Sequence, residues 1–344
     1  MSLQWVWFAL VGVLLAIYAA TGGYDLGIGV LYPFLARSDA EKGVLRQSIG
    51  PVWDGNQVWL LVLGGALFGA FPLAYADALS AFYLAVMLIL FGLILRAVSL
   101  EFHGHGSPVL KEVFDAGIFL GSLLPALLFG VAVGNLVEGI GMRAGRGGPQ
   151  TTSSGLFSLL TPYTLLVGLA GLAVFLVMGS SWAALKTEGD LQRRSAAARS
   201  AMQIVLFVLV VALTALTAVN DIAKEQLSNG LGGPAGWIML AVLIGGLVYA
   251  RWGMLKKDDW QAFVGAVVTV AGLAGVGAAG LYPDLIRSDS GDGLAVTVSN
   301  AASGHLTLVL MLVVALIAVP VVLAYSIYVN RVFSGRIAPQ DLEY

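Results

Sequence analysis

Residues 51–76 read PVWDGNQVWLLVLGGALFGAFPLAYA. An acid, two amides and two tryptophans crowd the start, and residues 58–76 then run without a charge. An apolar run of that length crosses a lipid bilayer. Asp54 therefore stands at the mouth of a membrane helix, where a carboxylate must be paired, hydrated or neutral. Two readings stay open from the stretch itself. Asp54 caps the first helical turn by accepting from its free N–H groups, or it is a station on an ion or proton route. Helical spacing puts Asp54, Gln57 and Leu61 on one face and Trp53, Asn56 and Gly64 near another, so Gln57 extends a polar line from Asp54 into the helix. Trp53 and Trp59 suit the interfacial aromatic belt, Trp53 the better of the two. Gly64-Gly65 reads as a close helix contact.

The rest of the chain has the same character. Of 344 residues 58% are hydrophobic and 11% charged, with a mean hydropathy of +0.89. Soluble domains carry about a quarter charged residues, so this is a polytopic membrane protein. The net charge of −2 gives no reason to expect a nucleic-acid or polyanionic partner. There is no cysteine, which excludes disulfides, thiolate metal sites and cysteine nucleophiles. The first residues, Met-Ser-Leu-Gln, lack the basic region of a cleaved signal peptide, so the first apolar segment is expected to stay as a helix.

Hydropathy predicts nine spans, over 5–24, 57–71, 76–100, 114–137, 156–184, 201–219, 236–250, 261–281 and 306–328. Fourteen of the 18 Lys and Arg then fall on one side, and four (Arg143, Arg146, Lys224 and Arg287) on the other. The positive-inside rule makes the richer side cytoplasmic, with the N-terminus outside and the C-terminus, ending Asp341-Leu342-Glu343-Tyr344, inside. This topology gathers charges from four consecutive spans at the inner leaflet. Asp25 ends span one, Asp54 begins span two, Arg96 and Glu101 close span three, and Asp115 opens span four. A buried arginine wants carboxylates, and Asp25, Asp54 and Glu101 are its candidates. The group is either a structural ion-pair knot or the entrance of a proton channel.

Elsewhere the chain says less. Thr161-Pro162 can open or kink a span. Residues 186–199 read as solvated surface, Asn220-Asp221 and Pro283-Asp284 as helix ends and turns, and 284–304 as an ordinary surface loop. Of the three histidines, His103 and His105 fall in a loop and are expected to be hydrated, and His305 opens the last span. None lies mid-span opposite a second ligand, as an axial haem pair requires. No haem-binding or metal-binding residue is assigned, and no phosphate-binding loop is present.

The segment WDGNQVW with GGALFGAFPLAYA after it resembles subunit II of the cytochrome bd-type quinol oxidases. So do TGGYDLGIG at 21–29, DAGIFLGS at 115–122 and GVAVGN at 130–135, in the family's order. The match is specific over the first 140 residues or so and looser beyond. The resemblance implies an all-α polytopic membrane protein of nine helices. These would form two four-helix bundles, within residues 1–150 and 151–302, plus an extra helix at 303–330. It implies a haem-free partner of subunit I, which carries two b-type haems, haem d and the quinol-oxidising loop. It implies a scaffolding role and a proton path from the cytoplasm through Asp25, Asp54, Gln57, Arg96, Glu101 and Asp115, around the motif residues Trp53, Asn56 and Trp59. The complex would be an electrogenic quinol:oxygen oxidoreductase of a prokaryotic cytoplasmic membrane. In some members a small single-span subunit joins it, or a structural quinone rests in a hydrophobic groove. Two other readings of the residues compete: a secondary transporter with a charged intramembrane site, which the one-sided charges disfavour, and a purely structural membrane scaffold.

Overall fold

A computed structural model describes residues 2–145, 148–152, 155–290, 292–338 and 340. Arg146 and residues 341–344, on which the side assignment partly rests, lie outside the described residues. The twelve helices are α1 (Leu3–Leu35), α2 (Asp39–Ile49), α3 (Trp53–Ala70), α4 (Pro72–Ala81), α5 (Tyr83–Phe102), α6 (Pro108–Glu138), α7 (Pro162–Lys186), α8 (Gly189–Val219), α9 (Asp221–Leu231), α10 (Pro234–Lys256), α11 (Asp259–Leu281) and α12 (His305–Val332). Eight are long and apolar enough to cross a membrane, and α3 with α4 makes a ninth candidate if the bent pair counts as one span.

Several boundaries differ from the sequence reading. The first span does not end at residue 24. No breaker follows, and α1 continues to Leu35 through a stretch buried against α6 and α7, so Asp25 lies inside the helix. The predicted span 76–100 falls on two helices, the end of α4 and most of α5, which break at Phe82; Pro72 starts α4 at its first turn, and α3 and α4 bend by 120° at Phe71. The carbonyls freed at the end of α3 are met by Ser303, whose N–H donates to Ala70 O at 2.9 Å and whose hydroxyl donates to Gly69 O at 2.7 Å. Residues 156–159 are a short 3₁₀ turn, and α7 begins only after the Thr161 capping box, with Pro162 in its first turn. The amphipathic α2 and α9 were not foreseen. Asn220 caps α9.

The fold is not wholly helical. Two antiparallel hairpins, β1 (Met142–Gly145) with β2 (Gly148–Thr151) and β3 (Asp284–Arg287) with β4 (Ala295–Thr297), cap one end. Residues 284–304 are thus no ordinary loop, since Ile286, Val296 and Val298 are buried with Trp7, Phe71 and Phe82. At the other end a second core packs Tyr24, Trp182 and Phe263 together. Tyr24 stacks on Trp182 with ring centroids 4.2 Å apart.

The helix α1 is central and packs on α3, α6, α7 and α11. Its crossing with α7 depends on absent side chains. A Cβ on Gly27 would overlap the Phe175 carbonyl, and one on Gly179 would overlap the Gly27 backbone. Gly29 meets Ser122 of α6 in the same way. At Gly64 and Gly65, read as a helix contact, an added Cβ would meet nothing within 4 Å among the described residues, so no helix of this chain crosses closely there.

Candidate functional site

The segment TGGYDLGIG owes its glycines to these crossings, and they bring Asp25 into the middle of the bundle. Its carboxylate is fully buried. One oxygen accepts from the Asn56 amide at 3.0 Å, and the same amide donates to the Tyr24 hydroxyl at 2.7 Å. The other carboxylate oxygen is buried with no partner. Arg96 of α5 is 1% exposed, with Nε and one terminal nitrogen buried and unpartnered. The carboxylate it feels most strongly is Asp25, without a direct ion pair. Its guanidinium lies 6.0 Å from the Trp53 ring centroid, a distance at which cation–π attraction operates. The Tyr18 hydroxyl and the Gln57 side-chain nitrogen are also buried, near one another but without a well-formed hydrogen bond, and Tyr18 lies within electrostatic reach of both Asp25 and Arg96. Native interiors seldom leave so many polar atoms unmatched in one place.

Asp115 belongs to a second cluster. It accepts from Lys42 Nζ at 2.6 Å and the Tyr32 hydroxyl at 2.8 Å, and His103 Nε2 lies 2.9 Å from it. Arg46 reaches the Tyr32 hydroxyl and comes within 3.3 Å of His103 Nε2. His103 is therefore not a hydrated loop residue but a buried bridge between α5 and α6. Lys42, Arg46 and Tyr32 were missed because their link to Asp115 spans up to 83 positions and runs through the unforeseen α2.

The other predicted residues sit at the edge. Asp54 and Glu101 are exposed in this chain, and neither pairs with Arg96 among the described residues. Gln57 is half-buried one turn above Asp54, on the face that carries exposed Leu61. Asn56 and Trp59 form the opposite, buried face. Trp59 is 1% exposed, a core residue rather than a belt residue, while Trp53 is half-buried beside Arg96.

A third cluster was read as solvated surface. Arg199 pairs with Asp259 at 3.0 Å, both buried, and Arg336 and Gln192 complete the carboxylate's partners at 3.2 and 2.9 Å. Beside it Lys186 donates to Phe333 O and the Ile337 N–H donates to Lys186 O, fastening the segment after α12 to α7.

The sequence model of the cytochrome bd terminal oxidase subunit II family matches residues 3–333. Cytochrome bd-I ubiquinol oxidase subunit 2 of Escherichia coli (strain K12) is 32% identical over 367 residues, covering 99% of this chain and 97% of the relative. Cytochrome bd ubiquinol oxidase subunit 2 of Bacillus subtilis (strain 168) is 31% identical, covering 99% and 98%. The fold is similar to a chain in the structure of bd oxidase from Geobacillus thermodenitrificans, with a TM-score of 0.77, 16% sequence identity and coverage of 97% and 99%. The chain belongs to the cytochrome bd terminal oxidase subunit II family. It is a transmembrane subunit of a respiratory bd-type quinol oxidase, and membership implies a partner subunit I with the haems.

Proposed function

We propose that this chain is the haem-free, obligate subunit II of an electrogenic quinol:oxygen oxidoreductase. It stabilises subunit I in a prokaryotic cytoplasmic membrane and brings protons from the cytoplasm for the reduction of oxygen to water. One observation carries the reading. Asp25 of α1 and Arg96 of α5 are buried without a direct ion pair, and each leaves polar hydrogen-bonding capacity unmatched. A purely structural knot would be expected to saturate both, because unmatched buried charge is costly.

Asp54 collects protons at the mouth of α3. Gln57 and Asn56 line the way inward, and Asp25 is the protonatable group at depth. Arg96 offsets the cost of an ionised Asp25 in its buried site. Oxygen and quinol are substrates of the complex; the haems in subunit I, when bound, supply its electron transfer. His103 Nε2 faces Asp115 and Arg46, and His305 is exposed at the first position of α12. Among the described residues no three His, Asp or Glu side chains form a metal-binding group. A groove of about 430 Å³ between α1, α10 and α11, lined by Gly12, Ala16, Met239 and Gly275, has room for the apolar chain of a structural quinone.

The Asp115 cluster supports scaffolding instead. Its carboxylate is fully partnered and ties α1, α2, the α5–α6 turn and α6 together.

The test is Asp25→Asn and Asp54→Asn in the assembled complex. Asparagine keeps the shape but exchanges no proton. Both variants should assemble with normal haem spectra and lose most oxygen consumption, and Asp54→Glu should recover part of it. Wild-type turnover in both Asn variants would refute the route.

A further inference from the structure

The face of α10 opposite its packing partners carries basic residues that the proton route does not use. Helix α10 packs on α11, α9 and α8. Its outward stripe runs Ile244, Val248, Trp252 and Leu255, all more than half exposed. Arg251 lies on this stripe, three residues after Val248 and four before Leu255. It precedes the helix end by five residues, roughly 7 Å along the axis. A guanidinium at that height on a lipid-facing stripe needs a counter-charge.

Among the described residues none is paired with it. Arg251, Lys256 and Lys257 are exposed and form no ion pair among the described residues. The neighbouring carboxylates are engaged: Asp258 accepts from the Gln261 N–H at 2.9 Å, Asp259 is buried between Arg199 and Arg336, and Asp190 pairs with Arg193. Lys256 lies over the Trp252 ring at 4.2 Å, and Trp260 is 62% exposed at the start of α11. Two exposed tryptophans on either side of one turn mark the level of the membrane interface. Lys257, in the left-handed conformation with φ of 59°, closes the turn between them.

We infer that Arg251, Lys256 and Lys257 bind the headgroup of an anionic phospholipid, with Trp252 and Trp260 against its glycerol region. Arg251 on the stripe, with Lys256 and Lys257 just over a turn further on, leaves an excess of positive charge for a phosphodiester, and basic residues near a membrane surface attract anionic lipid.

The delipidated complex, titrated with phosphatidylglycerol and read by native mass spectrometry, tests this. The variant Arg251→Gln/Lys256→Gln/Lys257→Gln should bind its first phosphatidylglycerol roughly tenfold or more weakly than wild type. The weaker binding of phosphatidylcholine should not change between the two. Equal phosphatidylglycerol binding by both proteins would overturn the inference, and displacement of the lipid by millimolar inorganic phosphate would overturn the choice of a lipid. A second measurement needs no variant. Photoreactive phosphatidylglycerol on the wild-type complex should crosslink within residues 244–260 and its phosphatidylcholine counterpart should not; the reverse pattern, or equal labelling, would also overturn it.

Discussion

Asp25 and Arg96 answer different questions about the same buried space. Asp25 is held by one amide, with its second oxygen unmatched, and on the proposed route it takes up and releases a proton without dismantling a tight pair. Arg96 has the Trp53 ring and the field of Asp25 in place of a salt bridge. Removing its charge leaves Asp25 without its compensating cation in the bundle, and an uncompensated buried charge is costly. Arg96→Gln should therefore lower the yield and the melting temperature of the complex more than Asp25→Asn does, as thermal unfolding would register. The reverse order would mean that Arg96 does not compensate Asp25. The residue types of this site were legible in the sequence, because a charge in an apolar span cannot pass unnoticed. The pairings were not. Of the three carboxylates offered to Arg96, only Asp25 lies within its reach, without a direct ion pair; Asp54 and Glu101 lie exposed at the rim, while Asn56, read as a neighbour of Asp54, turns inward to Asp25. The depth of Asp25 depends on how far α1 continues past residue 24, which hydropathy alone did not fix.

The elements are placed by close backbone approach and by polar clamps at the basic end. Gly27 has no room for a side chain at the α1–α7 crossing, so Gly27→Leu should force the helices apart and prevent assembly, as loss of the complex in detergent would register. Normal assembly would show that the crossing is looser than drawn. The amphipathic α2 is clamped by Glu41, which accepts from Arg194 at 2.6 Å and from the Arg37 N–H at 2.6 Å. Burial pushes its carboxyl up, but these hydrogen bonds together outweigh that and hold it below its usual 4.5. A depressed carboxylate stabilises the fold fully above 4.5, and the contribution is lost as pH falls through the lower folded-state value. Hydrogen exchange in residues 36–52 should therefore rise below about pH 4.5, relative to the chemical rate, and Arg194→Gln should remove that step. An unchanged step in the variant would assign it elsewhere. Long uniform spans were legible because their signal is length and apolarity. The α3–α4 bend was not, since Pro72 sits inside an apolar run whose hydropathy never drops, and α2 was hidden by its polar composition.

Across the whole molecule the basic residues mark one end. The segment after α12 is bound there by Arg336 and by Lys186, beside the start of α8 and the end of α7. A reporter fused to the C-terminus that works only outside the membrane should accordingly stay silent, and strong activity would overturn the orientation. The opposite end is closed by the two hairpins and α9, where Arg287 bonds Glu225 at 2.8 Å. Acidic and polar short-range signals there gave turns but not the hairpin that covers Trp7 and Phe71, because that contact joins distant parts of the chain. On the proposed route the unsaturated Asp25–Arg96 site passes protons from the basic end to the oxidase. The most direct measurement uses the assembled complex in sealed vesicles, oriented and supplied with quinol. A pulse of oxygen is given while charge separation and the pH on each side are recorded. The wild-type complex should take up protons from the side bearing the basic residues and develop a membrane potential. Asp25→Asn, with unchanged haem spectra, should lose both. Undiminished uptake and potential in that variant would contradict the account.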